Sequence, residues 1–457
     1  METRNFMDDL LWCANLPVEV ARDLASAHAV LVKSGKEGIE AFCKAHRLHP
    51  KICASLLEEA VDGFEAAYAR LRRTYNTTVI DEVDAPAARA RAAEEGLSTL
   101  VRLLDNRLLT ENDGLPVTIF LSGPKSLTEH FMGDKRFYVF GELHGYEGHC
   151  PDGPDTTSIE KYLSNLFVST NAFLDFFLED LADPPPPKDL SLSELYPREI
   201  ALFPQLPFMH RLRMVLGDCI HANTRFDERC HLSRQHYSDI RMVGGTPHTF
   251  ARYIKASTYA ALREPQSTDR RRELARLYSV YLEAPDRREF IQQNYDANRI
   301  LQKEIDKALP EMRERIREFV GTSVREVYDE VHEELDELMT AIFKEVLDRP
   351  FANVVFHQRP LMRVVHLMTM VFCTTVDGYT LARAFKRFDT SKDAIPGVGT
   401  WDQPEVPHNV VCYFGDRHAR AIRRFLDQVG FERAPGAGIE FSPRCVELTK
   451  VKQPFFS

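Results

Sequence analysis

The chain has 457 residues, 44% hydrophobic and 28% charged, the composition of an ordinary globular protein with two or three domains, or one large domain carrying insertions. Acidic residues outnumber basic ones, 68 to 58, for a formal net charge of −10; this argues against a nucleic-acid coat, because phosphate binding favours a basic face. The nine cysteines are scattered and include no Cys-x-x-Cys pair, so neither a disulfide framework nor a zinc ribbon is indicated, and a reducing, cytoplasmic setting is expected. The start of the sequence lacks the basic and apolar blocks of a signal peptide. The most apolar window, 364–376, is too short to span a bilayer and is interrupted by His366 and several threonines.

Residues 1–112 read as helical, with apolar positions at three- and four-residue spacing, notably over 52–73 and 87–104. The texture then changes. Strands are expected at 117–122, closed by Gly123-Pro124, and at 136–142; a helix follows at 158–169 and a mostly apolar strand at 173–179. Short apolar runs alternating with helices predict an α/β fold built on a mostly parallel, helix-covered sheet. Four prolines at 184–187 form a loop, helical sequence surrounds 208–222, and a weaker strand is expected at 237–243 before Gly244-Gly245-Thr246-Pro247. Residues 248–348 are helical and highly charged. Ser323 and Glu326 read as a capping box, followed by a stripe of Val324, Val327, Val331, Leu335, Leu338 and Ile342 that packs on a neighbouring helix. A long apolar helix is expected over 361–388, a loop over 389–407, a strand over 409–414 with its helix at 419–429, and a loop plus edge strand over 431–449. The expected divisions are an N-terminal helical region (1–114), the first half of the α/β core (115–248), a helical insertion (249–350) and the second half of the core (351–457), with large all-helical additions at the N-terminus and in the middle.

The chemistry concentrates at strand ends. Phe137-Tyr138-Val139-Phe140 runs into Gly141-Glu142-Leu143-His144, and Val410-Val411-Cys412-Tyr413-Phe414 into Gly415-Asp416-Arg417-His418. In extended backbone, positions i and i+2 share a side, so Glu142 and His144 are expected to project together from the rim where open α/β sheets hold ligands. Glu179 closes a third strand. Glu142, His144, Glu179 and His418 are therefore the candidate catalytic set. A neutral imidazole accepts a proton from water near pH 7, and a neighbouring carboxylate orients it. Glu142, His144 and His418 could instead hold a divalent metal ion with a position left for water. No Gly-x-Ser-x-Gly elbow is present, so direct water attack fits better than an acyl-enzyme.

Secondary candidates are His149 in the following loop, Asp239 and Arg241 on the weaker strand, and Asp416 and Arg417, the latter as an oxyanion stabiliser. Asp377 on an apolar helix needs a partner. His221, His231 and His236 have no metal spacing, and Asp329 with His332 is half of a di-iron pattern without its second copy.

The order Gly141-Glu142-x-His144, then Phe176-Phe177-Leu178-Glu179, then Gly415-x-x-His418 with Phe425-Leu426 and Gly430-Phe431 resembles the superfamily of erythromycin esterases, ChaN-like haem-binding proteins and TraB/Tiki proteins. The stretch Leu121-Ser-Gly-Pro-Lys-Ser-Leu127 also resembles uncharacterised proteins of large DNA viruses. The first resemblance covers about 115–245 and 360–448. It implies an α/β core with one active site, and a hydrolase of ester or peptide bonds acting on a small-molecule or peptide substrate. The interval between Glu142 and His144 is shorter than erythromycin esterases tend to have, and the membrane anchor of TraB/Tiki proteins and the lipoprotein signal of ChaN-like ones are missing from the sequence. A haem or metal protein, or a structural protein retaining an enzyme-like core whose helical regions bind protein partners, are the other readings.

Overall fold

The computed structural model describes residues 118–143, 150–181 except 152, 154 and 171, 209, 211–212, 232–241, 250–349, 354–390, 404–435, 439–442, 444–453 and 455–456. The helices expected over 1–112, the proline run, most of 208–222, and His144, His149, His221 and His231 lie outside them. The chain divides into two compact units, one taking Thr246–Arg299 and Gly321–Cys373, the other Ile80–Gly245, Ile300–Val320 and Thr374–Ser457. The helical unit thus extends past residue 350, while 300–320 goes with the sheets.

In the sheet-bearing unit, β1 (Phe120–Ser122), β2 (Ser126–Met132), β3 (Lys135–Glu142), β4 (Thr156–Ser158), α1 (Ile159–Ser169), β5 (Leu174–Leu181) and β6 (Ser233–Asp239) come first. Phe137 to Phe140 are all fully buried, as a central strand covered on both faces requires. Ser158 caps α1 by accepting from Lys161 N–H, with Glu160 in the first turn. The expected fourth strand begins and ends earlier, at Ser233–Asp239. β2 was not anticipated. It pairs antiparallel with β3 through a two-residue turn that needs Gly133 at φ +61°.

The helical unit holds α2 (Phe250–Arg263), α3 (Thr268–Leu282) and α4 (Arg287–Asp296). Ser267 and Asp286 cap the last two. α5 (Arg299–Asp306) and the start of α6 (Pro310–Ile342) are assigned to the sheet-bearing unit, the rest of α6 to the helical one. The valine–leucine stripe of α6 is buried from Val324 to Ile342, as its spacing predicted. Ser323 lies inside α6, so the expected capping box is not a helix start. Asp329 pairs with Arg288, and His332 Nδ1 bonds only its own helix's Asp329 carbonyl, the solvated face expected of an orphan half-motif.

The long apolar helix expected over 361–388 is two helices, α7 (Gln358–Val371) and α8 (Thr374–Ala384), parted where Phe372 N–H bonds back to Met368 and Cys373 N–H to Met370. The most apolar 18-residue window of Gln358–Ala384 reaches a mean hydropathy of 1.2, yet 78% of that window is buried in the protein, as in a core helix. β7 (Asn409–Gly415), α9 (Asp416–Gln428), β8 (Glu432–Arg433), β9 (Ile439–Ser442) and β10 (Cys445–Glu447) complete the described elements.

The strands form two sheets rather than one. The larger runs β6-β5-β7-β3-β2-β8, parallel from β6 to β3 and antiparallel beyond. The smaller runs β4-β1-β10-β9, so β10, expected at an edge, is internal. Alternation and register put Tyr138, Phe140, Tyr413 and Phe176 on one face of the larger sheet, where Phe455 stacks on Tyr138 at 4.0 Å and Phe167 of α1 meets Phe176. Phe137, Val139, Phe177 and Cys412 face the other side, against α8 and α9. The α/β class expected from the sequence is therefore what the described residues show.

Gly141, where the first motif begins, is set by packing. A Cβ there would lie 2.4 Å from Asp416 Oδ1 and 2.6 Å from Ser126 Oγ. Gly141→Ala should lower the unfolding free energy by about 1–3 kcal/mol, measured by urea denaturation; a variant as stable as the wild type would remove this account of the glycine.

Candidate active site

β7 stops at Gly415, which becomes the N-cap of α9 without a side chain of its own to close the helix. Glu179 at the end of β5 supplies the missing acceptor: its Oε2 takes the Gly415 N–H at 2.7 Å. A carboxylate there also complements the helix's positive end. One turn on, His418 turns back toward the sheet. Its Nε2 lies 3.1 Å from Glu179 Oε1, and its Nδ1 2.7 Å from Asp377 Oδ1 on α8. All three residues are buried, with exposures of 5%, 8% and 2% for His418, Glu179 and Asp377.

Burial alone would strip the proton from His418. The Glu179 and Asp377 carboxylates outweigh it, by charge and by hydrogen bonding, and hold the ring protonated well above the ordinary imidazole value. Arg241 extends the array. Its Nη2 lies 3.4 Å from Glu179 Oε1, while Nε and Nη2 grip Asp239 at 2.9 and 3.0 Å. Burial of Asp239 is more than offset by that guanidinium, which keeps its carboxyl below the usual range.

The expected residues thus divide. Glu179 and His418 meet, and Asp239 and Arg241 join them through Glu179. Glu142 is opposite Gly415 in the β3–β7 register, at the same strand end, but alternation sends it to the face that carries Tyr413. Burial, and then the Glu142 carboxylate, push the Tyr413 phenol well above its normal range. On side-chain direction Glu142 therefore parts from Glu179 and His418. Asp416 also turns elsewhere: it accepts from Ser126 Oγ at 2.9 Å and pairs with Arg420 at 3.2 Å, bracing α9 against β2. Arg417 is half-buried.

Of the residues expected to hold a metal ion, His144 lies outside the described residues, and Glu142 stands on the opposite face of the sheet from His418. A ligating histidine offers a lone pair from one nitrogen and steadies the ring with the other, whereas both nitrogens of His418 face carboxylates. Among the described residues no group of three or more His, Cys, Asp or Glu side chains is arranged to hold a metal ion.

Sequence reasoning marked Asp377 only as a charge in need of a partner; its pairing with His418 is tertiary and left no local trace. A second histidine array went unread. His236 Nε2 donates to Asp175 Oδ1 at 2.9 Å, and its Nδ1 accepts from Arg383 Nη2 at 3.0 Å. Arg234 holds the same Asp175 at 2.6 and 3.1 Å. Burial and the Arg383 charge drop the His236 ring to about 3. The available signal was Asp175, a charge near the start of an otherwise apolar strand.

Cys150 and Cys445 form a disulfide, with Cα atoms 5.2 Å apart; this departs from the expectation of unpaired thiols and removes the main support for a reducing compartment. No protein-family model, curated protein or solved structure matches the chain.

The two histidines load stability in opposite directions. The folded His418 holds its proton above the unfolded value of 6.5, so its contribution is complete below pH 6.5 and disappears as pH rises through the folded value. His236 behaves inversely: it contributes fully above 6.5 and is lost as pH falls toward about 3. Urea unfolding across pH should show stability falling on both sides, and His418→Gln should flatten the alkaline side alone. An alkaline slope unchanged in that variant would mean that the His418 ring does not carry it.

Proposed function

We propose that the chain is a hydrolase that splits an ester or peptide bond with water, as its resemblance to erythromycin esterases, ChaN-like proteins and TraB/Tiki proteins implies. The observation that carries this reading is the line Asp377–His418–Glu179 at the carboxyl end of parallel strands, the usual place of ligands in open α/β sheets.

With its ring held protonated, His418 is assigned the part of acid in place of the base or metal ligand expected from sequence. Glu179 is the base: it takes a proton from water as the hydroxide adds to the carbonyl carbon. Taking up that proton neutralises one partner of the imidazolium and releases its Nε2–H. That proton then passes to the departing oxygen or nitrogen as the carbon–heteroatom bond breaks. The proton on Glu179 returns the ring to its charged form, so one water is consumed and an acid plus an alcohol or amine leave. Asp377 keeps the ring oriented and stabilises its charge. Arg241, 3.4 Å from Glu179, supplies positive charge for the carbonyl oxygen as it turns negative.

A second reading also has an observation behind it. Both nitrogens of His418 and both oxygens of Glu179 have partners within the protein, a closed arrangement that suits a structural post in a protein retaining an enzyme-like core. A panel of aryl esters and short peptides, assayed with wild type, Glu179→Gln and His418→Asn, separates the two. The hydrolase reading expects turnover of at least one panel member and a loss of about 100-fold or more in each variant, with native circular dichroism. No turnover by the wild type, together with variants that only lose thermal stability, would support the structural post.

A further inference from the structure

Strand β3 leaves the sheet at Glu142, and the chain beyond it is gripped from one place in two independent ways. Arg444 Nη2 donates to the Leu143 carbonyl at 3.5 Å, and the adjoining Cys445 is bonded to Cys150. The grip is itself anchored. The Arg444 carbonyl accepts the Gly123 N–H at 2.9 Å, and Cys445 pairs with Ser122 of β1. Arg444 and Cys445 therefore hold Leu143 and Cys150, and tie both to the sheet β4-β1-β10-β9.

That sheet is small but packed: Leu121 and Val446 are fully buried, and the Leu448 N–H donates to the Ile119 carbonyl at 2.7 Å. Its strands are three or four residues long, and the β10–β9 register shifts between Cys445 and Val446. The bridge joins positions 295 residues apart, so breaking it frees a long loop of unfolded chain. The two sulfurs also differ in access: Cys445 is fully buried, while Cys150 is half-buried at the surface end.

We propose that the Cys150–Cys445 bond is a thiol–disulfide switch that fixes the exit of β3, and with it the rim where Glu142 stands. A dithiol reductant supplies the electrons. Its thiolate attacks Cys150 Sγ, the S–S bond breaks, and Cys445 leaves as a thiolate that takes up a proton. The reagent's second thiolate then displaces Cys150, giving two protein thiols and the reagent's own disulfide. With the covalent anchor gone, the Arg444–Leu143 hydrogen bond still ties the residue before β10 to this exit.

The inference stands apart from the hydrolase reading, because its readouts are thiol state, cleavage and thermal midpoint. The full chain is purified without reductant, alkylated, and mapped by mass spectrometry before and after treatment with dithiothreitol. The expected result is a peptide pair linked through Cys150 and Cys445 before treatment. After it, both thiols become alkylated, the thermal midpoint falls by several degrees, and a protease site opens between 143 and 150. A Cys150→Ser/Cys445→Ser variant should match the reduced protein and ignore dithiothreitol. Arg444→Gln should keep the bridge while raising cleavage at the same site. Alkylation of both cysteines in the untreated protein overturns the proposal, as does complete reduction that leaves both midpoint and cleavage unchanged.

Discussion

A buried imidazolium between two carboxylates is the interaction on which the rim of the sheet depends. Taking a charged ring out of water is costly, and one carboxylate beside it seldom repays the cost in a dry interior. Here two acids from separate elements flank the ring, and the Gly415 N–H and Arg241 take up the negative charge left over on Glu179. The arrangement fixes α8, α9 and β5 relative to one another, because removing any member leaves another charge buried without compensation. β7 then has one course open to it, between β3 and β5, ending where its glycine can meet Glu179.

α8 is held at both ends of its length by histidines with opposite needs. Asp377, with Glu179 at the other nitrogen, requires the His418 ring to be charged. Arg383, six positions on, requires the His236 ring to be neutral, since its guanidinium donates to that ring's Nδ1. The further partners agree with this. Glu304 of α5 accepts from Arg383 at 3.3 Å and from Lys386 at 2.6 Å, and Phe388 lies under Arg234, 3.7 Å from ring centre to guanidinium carbon. The helix that supplies Asp377 is thus anchored by a second polar array at the amino end of the same strands. The two arrays also differ in charge: one holds a protonated ring between two carboxylates, and the other a neutral ring locked in one tautomer.

Strands β3, β5 and β7 and helix α1 were legible because each announces itself locally. β3 and β7 carry unbroken apolar runs and β5 a mostly apolar one with Asp175 near its start, as suits strands covered on both faces, and α1 begins at a serine cap. β2 escaped because Glu129 and His130 interrupt its apolar character, although His130 is fully buried and bonds Thr128 Oγ1 through its Nε2. β10 escaped as an internal strand because three residues carry no periodicity. The disulfide could not be read at all, since the spacing of cysteines 295 residues apart says nothing about proximity. Of the site, His418 and Glu179 were visible as polar groups that end apolar strands. Their common partner Asp377 was visible only as a charge out of place on an apolar helix, and a charge out of place says that a partner exists without saying which.

The two glycine-ended strands look alike in sequence, and the likeness is misleading about which acids serve the histidine. Gly141 is demanded by the close approach of Asp416 and Ser126, which is a packing requirement between β3 and α9. Gly415 lies at φ −53°, open to any residue, and matters through its backbone N–H. Asp416, two positions before His418, is spent on bracing α9 through Ser126 and Arg420. Glu142 leaves on the opposite face. The acids that reach the histidine come from β5 and α8, elements separated from it by hundreds and tens of residues. A buried array made in this way depends on the whole parallel sheet being assembled before its members can meet, which explains why short motifs point to the rim without specifying its partners.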